Sequence, residues 1–193
     1  GKNRTKLYEK GMEEKDYLGE EQDLMLASMF AIAGAVGLKD KYTLVHSENV
    51  SRYGVILGEA LGFDKEKIEI IRKAGLLHDI GKIGIPDSIL SKASEFTVEE
   101  VTVMRKHVEL SVDILKHIPA LLKAIPAVLC HHERYDGTGY PRGIKGESIP
   151  EEARCLSLVD SYEAMTSNRP YKKSLTIDEA IEEIEKNKGS QFD

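Results

Sequence analysis

The fold of this chain is indicated first by the stretch His78-Asp79-Ile80-Gly81-Lys82-Ile83-Gly84-Ile85-Pro86 and second by His131-His132-Glu133-Arg134-Tyr135-Asp136-Gly137-Thr138-Gly139-Tyr140-Pro141. Each stretch follows an apolar run with helical periodicity, which places its histidines at a helix end. Imidazole nitrogens and carboxylate oxygens bind iron, manganese and zinc, so each doublet offers two metal ligands from one backbone location. His46 and His107 are further candidate ligands, and His117 lies outside the pattern.

Apolar residues recur at helical spacing along most of the sequence, including the segments from Gln22 to Val36 and from Thr43 to Leu61. Asp64 is placed to cap a further helix, which Gly81 is expected to end just beyond the His78-Asp79 pair. No segment shows the alternation of apolar and polar residues expected of a strand. These patterns predict an all-α fold.

Two capping boxes, Thr97-Val98-Glu99-Glu100 and Thr176-Ile177-Asp178-Glu179, mark further helix starts. The first predicted helix carries His107 in its middle, and a helix that begins at Glu151 carries Asp160. The segment 133–150 is rich in Gly and Pro and predicts a structured loop. We expect this loop to place Tyr140 at the rim of a pocket.

Composition limits the class of protein. At 193 residues the chain is long enough for one domain with a substantial core. The formal net charge of -6 argues against general binding to DNA, and no apolar run approaches the ~18 residues of a membrane span. Cys130 and Cys155 lack CxxC spacing, so neither a disulfide framework nor a thiolate zinc site is expected, and a reducing cytoplasm is favoured.

The domain organisation predicted from the sequence is an N-terminal connector or tail over residues 1–21 and one folded domain over residues 22–193. The first segment is rich in Lys and Glu, which fits both a helical connector from an upstream sensor domain and a solvated tail. The chain stops shortly after Gly189, a residue placed to end a helix, so we expect the C-terminal end to be truncated.

Together these motifs resemble the HD-GYP family, a branch of the HD superfamily of metal-dependent phosphohydrolases. The resemblance extends from about Asp40 to Phe192 and includes Arg169-Pro170-Tyr171. It implies an all-α HD-domain helical bundle in which residues 133–150 form a loop, the GYP loop. It also implies an enzyme, a phosphodiesterase that hydrolyses cyclic di-GMP to pGpG, GMP or both through a metal-bridging hydroxide.

The resemblance assigns roles to individual residues. Asp79 and Lys82 are the implied catalytic residues, with Asp79 bridging neighbouring metals, and Tyr140, Arg169 and Lys172 are the implied substrate contacts. The implied metal ligands are His46, His78, Asp79, His107, His131, His132 and Asp160.

The number of metal ions follows from one departure from the family pattern. Members that hold three metals carry a glutamate where this chain has Tyr42, so two divalent ions are expected in this chain. Their combined charge of +4 outweighs the -2 of Asp79 and Asp160, which makes the site attractive to a phosphodiester. Nitrogen and oxygen ligands favour iron or manganese, with zinc, nickel, cobalt and magnesium as alternatives.

Two other functions stay open on the sequence alone. The same chemistry could act on another cyclic dinucleotide such as cyclic GMP-AMP. A member without activity would instead be a cyclic di-GMP sensor or a module that docks onto a partner such as a diguanylate cyclase. The resemblance also leaves room for a homodimer.

Overall fold

The computed structural model describes residues 27–29, 31–34, 36–37, 39, 43–168 and 174–193, most of which belong to the unit Ala33–Asp193. The helices of this unit, numbered in chain order, are α1 Thr43–Ala60, α2 Lys65–Leu77, α3 Asp87–Leu90, α4 Val98–Arg105, α5 His107–Leu115, α6 Ile125–Cys130, α7 Glu151–Thr166 and α8 Ile177–Lys186. Short 3-10 segments cover Ile80–Gly84, Pro119–Ala124 and Gly146–Ser148. Within the described residues no strand is formed and a single bridge joins Lys188 to Phe192, which confirms the all-α prediction.

Several helix boundaries agree with the sequence. The predicted helix Thr43–Leu61 is observed as α1, and the described residues of the segment Gln22–Val36 are helical. Asp64 caps α2, and Thr176 begins α8 with the predicted capping box.

Two predictions lie outside the described residues. These are the connector over residues 1–21 and its boundary with the domain 22–193. Among the helices that the structure describes, none is long and apolar enough to cross a membrane.

Helix α2 contacts α1, α6 and α7, and its buried face forms the centre of the core. The crossing of α1 and α2 is close because Gly75 has no side chain: a Cβ atom there would lie 2.6 Å from the Cα atom of Ser51. The Ser51 hydroxyl donates a hydrogen bond to the carbonyl oxygen of Arg72 at 2.8 Å. With Ile71 and Leu77 fully buried, this packing fixes the end of α2, from which the metal-ligand candidates follow.

The prediction that Gly81 ends a helix is wrong, because α2 already ends at Leu77. Gly81 lies in the 3-10 segment Ile80–Gly84, which packs against α5. A Cβ atom on Gly81 would lie 2.0 Å from the carbonyl oxygen of His107, and its N–H donates to the Ser111 hydroxyl at 2.8 Å. The glycine is needed for close approach between two segments.

The helix predicted to carry His107 in its middle is observed as two helices. The capping box at Thr97 and Glu100 is present, but α4 ends at Arg105 and α5 begins at His107. The intervening turn brings the Nδ1 atom of His107 to 2.8 Å from the carbonyl oxygen of Met104. His107 therefore lies at a helix junction, as the other candidate histidine pairs lie at helix ends.

Both cysteines are buried core residues, as the sequence indicated. Cys130 packs with Ile149 and Ala153. Burial raises the pKa of the Cys130 thiol to about 11 and that of Cys155 to about 12. Both thiols are therefore protonated at neutral pH and are unsuited to bind metal as thiolates.

The chain beyond α8 folds back onto the GYP loop. The N–H of Asp136 donates to the carbonyl oxygen of Ser190 at 2.8 Å, and the Arg134 guanidinium donates to the side-chain oxygen of Gln191 at 2.7 Å. The Phe192 side chain, next in the sequence, is buried. These bonds tie the loop to the C-terminal segment.

Candidate metal centre and adjoining cavity

The fold brings the seven predicted metal ligands into one polar cluster. They come from α1 (His46), the turn after α2 (His78 and Asp79), the start of α5 (His107), the turn after α6 (His131 and His132) and α7 (Asp160). His132 and Asp160 are half-buried, and the other members are buried. Because unpaired polar groups are costly inside an apolar core, any buried atom of the cluster that lacks a partner favours the binding of a ligand there.

Three of the buried histidines are held by the same local hydrogen bond, from Nδ1 to the carbonyl oxygen three residues earlier. The bonds run from His78 to Gly75, from His107 to Met104 and from His131 to Val128, at 2.8, 2.8 and 2.6 Å. A carbonyl oxygen only accepts, so each Nδ1 must carry the proton and the lone pair is left on Nε2. These bonds leave Nε2 as the candidate ligand atom and fix the direction of each ring.

The donor atoms form two adjacent groups, each with donors within 4.8 Å of one another: His46, His78 and Asp79, and then His107, His131 and His132. Asp79 faces both groups. Its Oδ2 atom lies 3.4 Å from Nε2 of His78, and its Oδ1 atom lies 3.4 Å from Nε2 of His107. Asp79 therefore presents one carboxylate oxygen to each group.

Two of the candidate ligand atoms are buried acceptors that no other described residue satisfies. They are Nε2 of His107 and Nε2 of His131, which have no hydrogen-bond partner within the described part of the chain. Burial lowers the pKa of both rings, and it lowers the pKa of His132 to about 4, so these lone pairs are unprotonated at neutral pH. An unsatisfied buried acceptor costs ~1–3 kcal/mol, which a bound cation would remove. The residues present therefore fit divalent metal ions.

His46 is oriented differently, by a buried carboxylate. Its Nδ1 atom is hydrogen-bonded to Glu163 on α7, while its Nε2 atom lies 3.1 Å from Oδ1 of Asp160. Burial acts to lower the pKa of His46, but hydrogen bonds with Asp160 and Glu163 outweigh it and raise this pKa to about 9. Glu163 was not predicted from the sequence. Its position one helical turn after Asp160 is the signal that could have identified it.

Lys82 lies at the edge of the cluster, with its Nζ atom 2.7 Å from Oδ2 of Asp79. Burial would raise the pKa of Asp79, but the charges of Lys82 and of the neighbouring histidines hold it well below its usual range. Asp79 is therefore ionised at neutral pH. Lys82 thus lies beside Asp79, and its catalytic role stays a prediction.

A polar cavity of about 190 Å³ is lined by both the cluster and the GYP loop. Its lining includes His132 and Asp160 as well as Tyr140. The Tyr140 ring stacks on the His132 ring, with centroids 4.8 Å apart and planes inclined by 25°. The predicted substrate contact Tyr140 therefore adjoins the predicted metal ligands.

Three positions used in the sequence interpretation lie outside the described residues. They are Arg169 and Lys172, the other predicted substrate contacts, and Tyr42, on which the expected number of metals depends. Among the cavity residues that were not predicted are Arg105 and Gln191. Neither belongs to a motif that local sequence could identify, because only the tertiary fold brings them to the GYP loop.

The class of protein follows from comparison with known families. A family model described as an HD domain matches residues 33–193. The chain therefore belongs to the HD domain family, and its GYP motif places it in the HD-GYP branch, which confirms the resemblance.

Particular relatives carry curated names. The cyclic di-GMP phosphodiesterase response regulator RpfG of Xanthomonas campestris pv. campestris is 36% identical over 178 residues, which cover 91% of this chain and 47% of that protein. The 3'3'-cGAMP-specific phosphodiesterase 2 of Vibrio cholerae is 34% identical over 169 residues, 86% of this chain and 32% of that protein. The chain thus spans half or less of the length of these relatives.

A solved structure shows the same fold. An HDG"Y"P protein from Bdellovibrio bacteriovorus superposes with a TM-score of 0.65 at 20% identity, over 80% of this chain and 49% of that chain.

Proposed function

We propose that this HD-GYP domain is a metal-dependent phosphodiesterase that hydrolyses cyclic di-GMP to pGpG, GMP or both. One observation carries the proposal: the buried Nε2 lone pairs of His107 and His131 have no partner among the described residues, and that of His107 lies 3.4 Å from the Asp79 carboxylate. Charged phosphodiester oxygens repel an attacking hydroxide, so a catalyst has to supply positive charge at this position. The name of the Xanthomonas relative supports the choice of substrate.

The ligand geometry supports two divalent ions that share Asp79. His46, His78 and Asp160 would complete one site, and His107, His131 and His132 the other. When bound, such ions supply a nucleophilic hydroxide near neutral pH and stabilise charge on the phosphoryl oxygens. We propose iron or manganese, because the ligands are nitrogen and oxygen atoms and both thiols lie in the core.

The remaining chemistry belongs to side chains around the cluster. Lys82 keeps Asp79 ionised and adds a positive charge that opposes the negative charge of the phosphodiester. Burial raises the pKa of the Tyr140 phenol above its usual range, so this side chain is neutral and offers its ring for stacking. Arg169 and Lys172 are proposed to contact the dinucleotide.

The proposal is tested by incubating the metal-loaded protein with cyclic di-GMP and, separately, with 3'3'-cGAMP. Manganese is added in air or iron under anaerobic conditions, and the products are separated by chromatography. We expect the wild-type protein to produce pGpG or GMP from cyclic di-GMP. We expect no product from the Asp79→Asn variant, whose folding is checked by a thermal melt. Cleavage of 3'3'-cGAMP alone would establish the other substrate, to which the Vibrio relative points. Binding without turnover would indicate a sensor.

We further propose that the domain acts in the cytoplasm, on the basis of its two isolated thiols. An upstream sensor domain, a diguanylate cyclase partner and a homodimer stay predictions from the resemblance.

A further inference from the structure

Arg105 lies at the end of α4 and lines the cavity beside the metal cluster. Its guanidinium carbon is 4.6 Å from the centroid of the Tyr140 ring, and that ring stacks in turn on His132 at 4.8 Å. A cation, an aromatic ring and a predicted metal ligand therefore form one continuous stack. One aromatic ring, that of Tyr140, therefore separates the Arg105 guanidinium from His132.

Among the described residues, the cavity lining contains two arginines, and their situations differ. Arg134 is committed to neighbours: it donates to Gln191 at 2.7 Å and to Thr138 at 3.1 Å. Arg105 is exposed, and within the described residues its guanidinium contacts the Tyr140 ring and pairs with no carboxylate. Stacking uses only the face of a guanidinium, so its N–H groups stay available for an anion.

The substrate chemistry indicates which anion this is. A cyclic dinucleotide carries two phosphodiesters in one ring, and the metal cluster can engage only the one that is cleaved. The other phosphodiester would lie along the cavity lining outside the metal cluster, where Arg105 and Arg134 are the cationic side chains among the described residues. A planar guanidinium binds a phosphate through two parallel hydrogen bonds, which makes Arg105 suited to that position.

We infer that Arg105 binds the second, uncleaved phosphodiester of the cyclic dinucleotide, with Tyr140 setting its distance from the metal centre. This inference rests on the proposed function. It makes Arg105 a residue that distinguishes a cyclic dinucleotide from a substrate with a single phosphodiester.

The test compares wild type, Arg105→Ala and Arg105→Lys on two substrates, cyclic di-GMP and bis(p-nitrophenyl) phosphate, which has only one phosphodiester. Lys106→Ala is the matched control, because it removes one positive charge from the adjacent exposed position, which does not line the cavity. Metal content and thermal melts establish that each variant is folded and loaded.

For Arg105→Ala we expect the KM for cyclic di-GMP to rise at least about tenfold, the scale of one lost charge-assisted contact, with kcat/KM for bis(p-nitrophenyl) phosphate within about twofold of wild type. The KM of Arg105→Lys for cyclic di-GMP should lie between those of wild type and Arg105→Ala, because lysine keeps the charge and loses the planar guanidinium. Lys106→Ala should match wild type on both substrates.

Equal losses on both substrates would overturn the inference, since Arg105 would then act through the metal centre. An unchanged KM for cyclic di-GMP in Arg105→Ala would overturn it as well. If wild type cleaves bis(p-nitrophenyl) phosphate and leaves cyclic di-GMP intact, the proposed substrate itself fails, and that result is visible before any variant is compared.

Discussion

Glu163 holds the ring of His46 in the way that backbone carbonyl oxygens hold His78, His107 and His131. Unlike those carbonyl oxygens, the Glu163 carboxylate can be removed by substitution without altering the backbone. The Glu163 carboxylate also accepts hydrogen bonds from Asn49 at 3.2 Å and from Ser167 at 2.5 Å. Its own position is therefore fixed, and it can orient the imidazole with little freedom.

Glu163→Ala should lower metal affinity by about tenfold to a hundredfold, because His46 loses the acceptor for its Nδ1 proton. Glu163→Gln keeps an acceptor oxygen and should recover most of that affinity. Equilibrium dialysis against manganese measures both. Glu151→Ala serves as the control, since it removes an exposed carboxylate of the same helix that pairs with Lys67. Equal affinity in Glu163→Ala and wild type would contradict the orienting role.

Lys82 is the residue at which catalysis can be separated from metal binding. Lys82→Ala should keep its metal ions, because no ligand is removed, and should lose at least about tenfold in kcat, the scale for one charge near a transition state. Metal analysis and steady-state kinetics on cyclic di-GMP measure the two effects. Lys116→Ala, which removes an exposed lysine paired with Asp113, should change neither. Normal turnover of Lys82→Ala would show that the catalytic assignment is wrong.

At the scale of elements, the helices were predictable where local sequence determines them. Asp64, Thr97 and Thr176 each begin a helix as predicted, because capping is a contact between residues only three positions apart. The break between α4 and α5 was not predicted. The break lies where Gly81 contacts the backbone of His107, which is a tertiary contact. The sequence between Val98 and Leu115 contains no helix-breaking residue that could have indicated it.

Gly139 allows the backbone of the GYP loop to pack closely against itself. A Cβ atom on Gly139 would lie 2.3 Å from the backbone nitrogen of Arg134 and 2.5 Å from the Cα atom of Glu133, so the loop backbone would have to move. Gly139→Ala should displace Tyr140 and raise the KM for cyclic di-GMP by about tenfold to a hundredfold, the range for small misplacement of a binding group. Metal content should change little, because the Nδ1 bonds of His78, His107 and His131 lie outside the loop.

The control for this prediction is Gly62→Ala. Gly62 has a φ of 75°, and a Cβ atom added to it would meet open space, so alanine there costs ~1–2 kcal/mol of stability without touching the loop. Thermal melts and steady-state kinetics of both variants separate a general loss of stability from a displaced loop. A normal KM in Gly139→Ala would show that Tyr140 does not depend on this turn.

For the molecule as a whole, the resemblance to the HD-GYP family predicted which distant residues meet, whereas helical periodicity predicted only the separate helices. Helical spacing indicated the elements but could not show that His46 on α1 and Asp160 on α7 meet, 3.1 Å apart, in the folded chain. The motifs of the family supplied that information in advance. Arg105 and Gln191 belong to no such motif, so their places in the cavity became visible only from the structure.

The helices α2, α4 and α6 all end at the metal cluster. Helix α2 ends immediately before His78, α4 ends at the turn that leads to His107, and α6 ends immediately before His131. The carbonyl end of a helix carries roughly half a negative charge, so the field of the backbone adds to that of Asp79 and Asp160. A metal-free protein should therefore repel the nucleotide, and binding should follow a compulsory order in which the cations enter first.

Fluorescence anisotropy should show that labelled cyclic di-GMP binds chelator-treated protein at least about tenfold more weakly than metal-loaded protein. Added manganese should restore the affinity of the wild-type protein and should not restore that of Asp79→Asn. Equal affinity with and without metal would mean that the nucleotide can enter first.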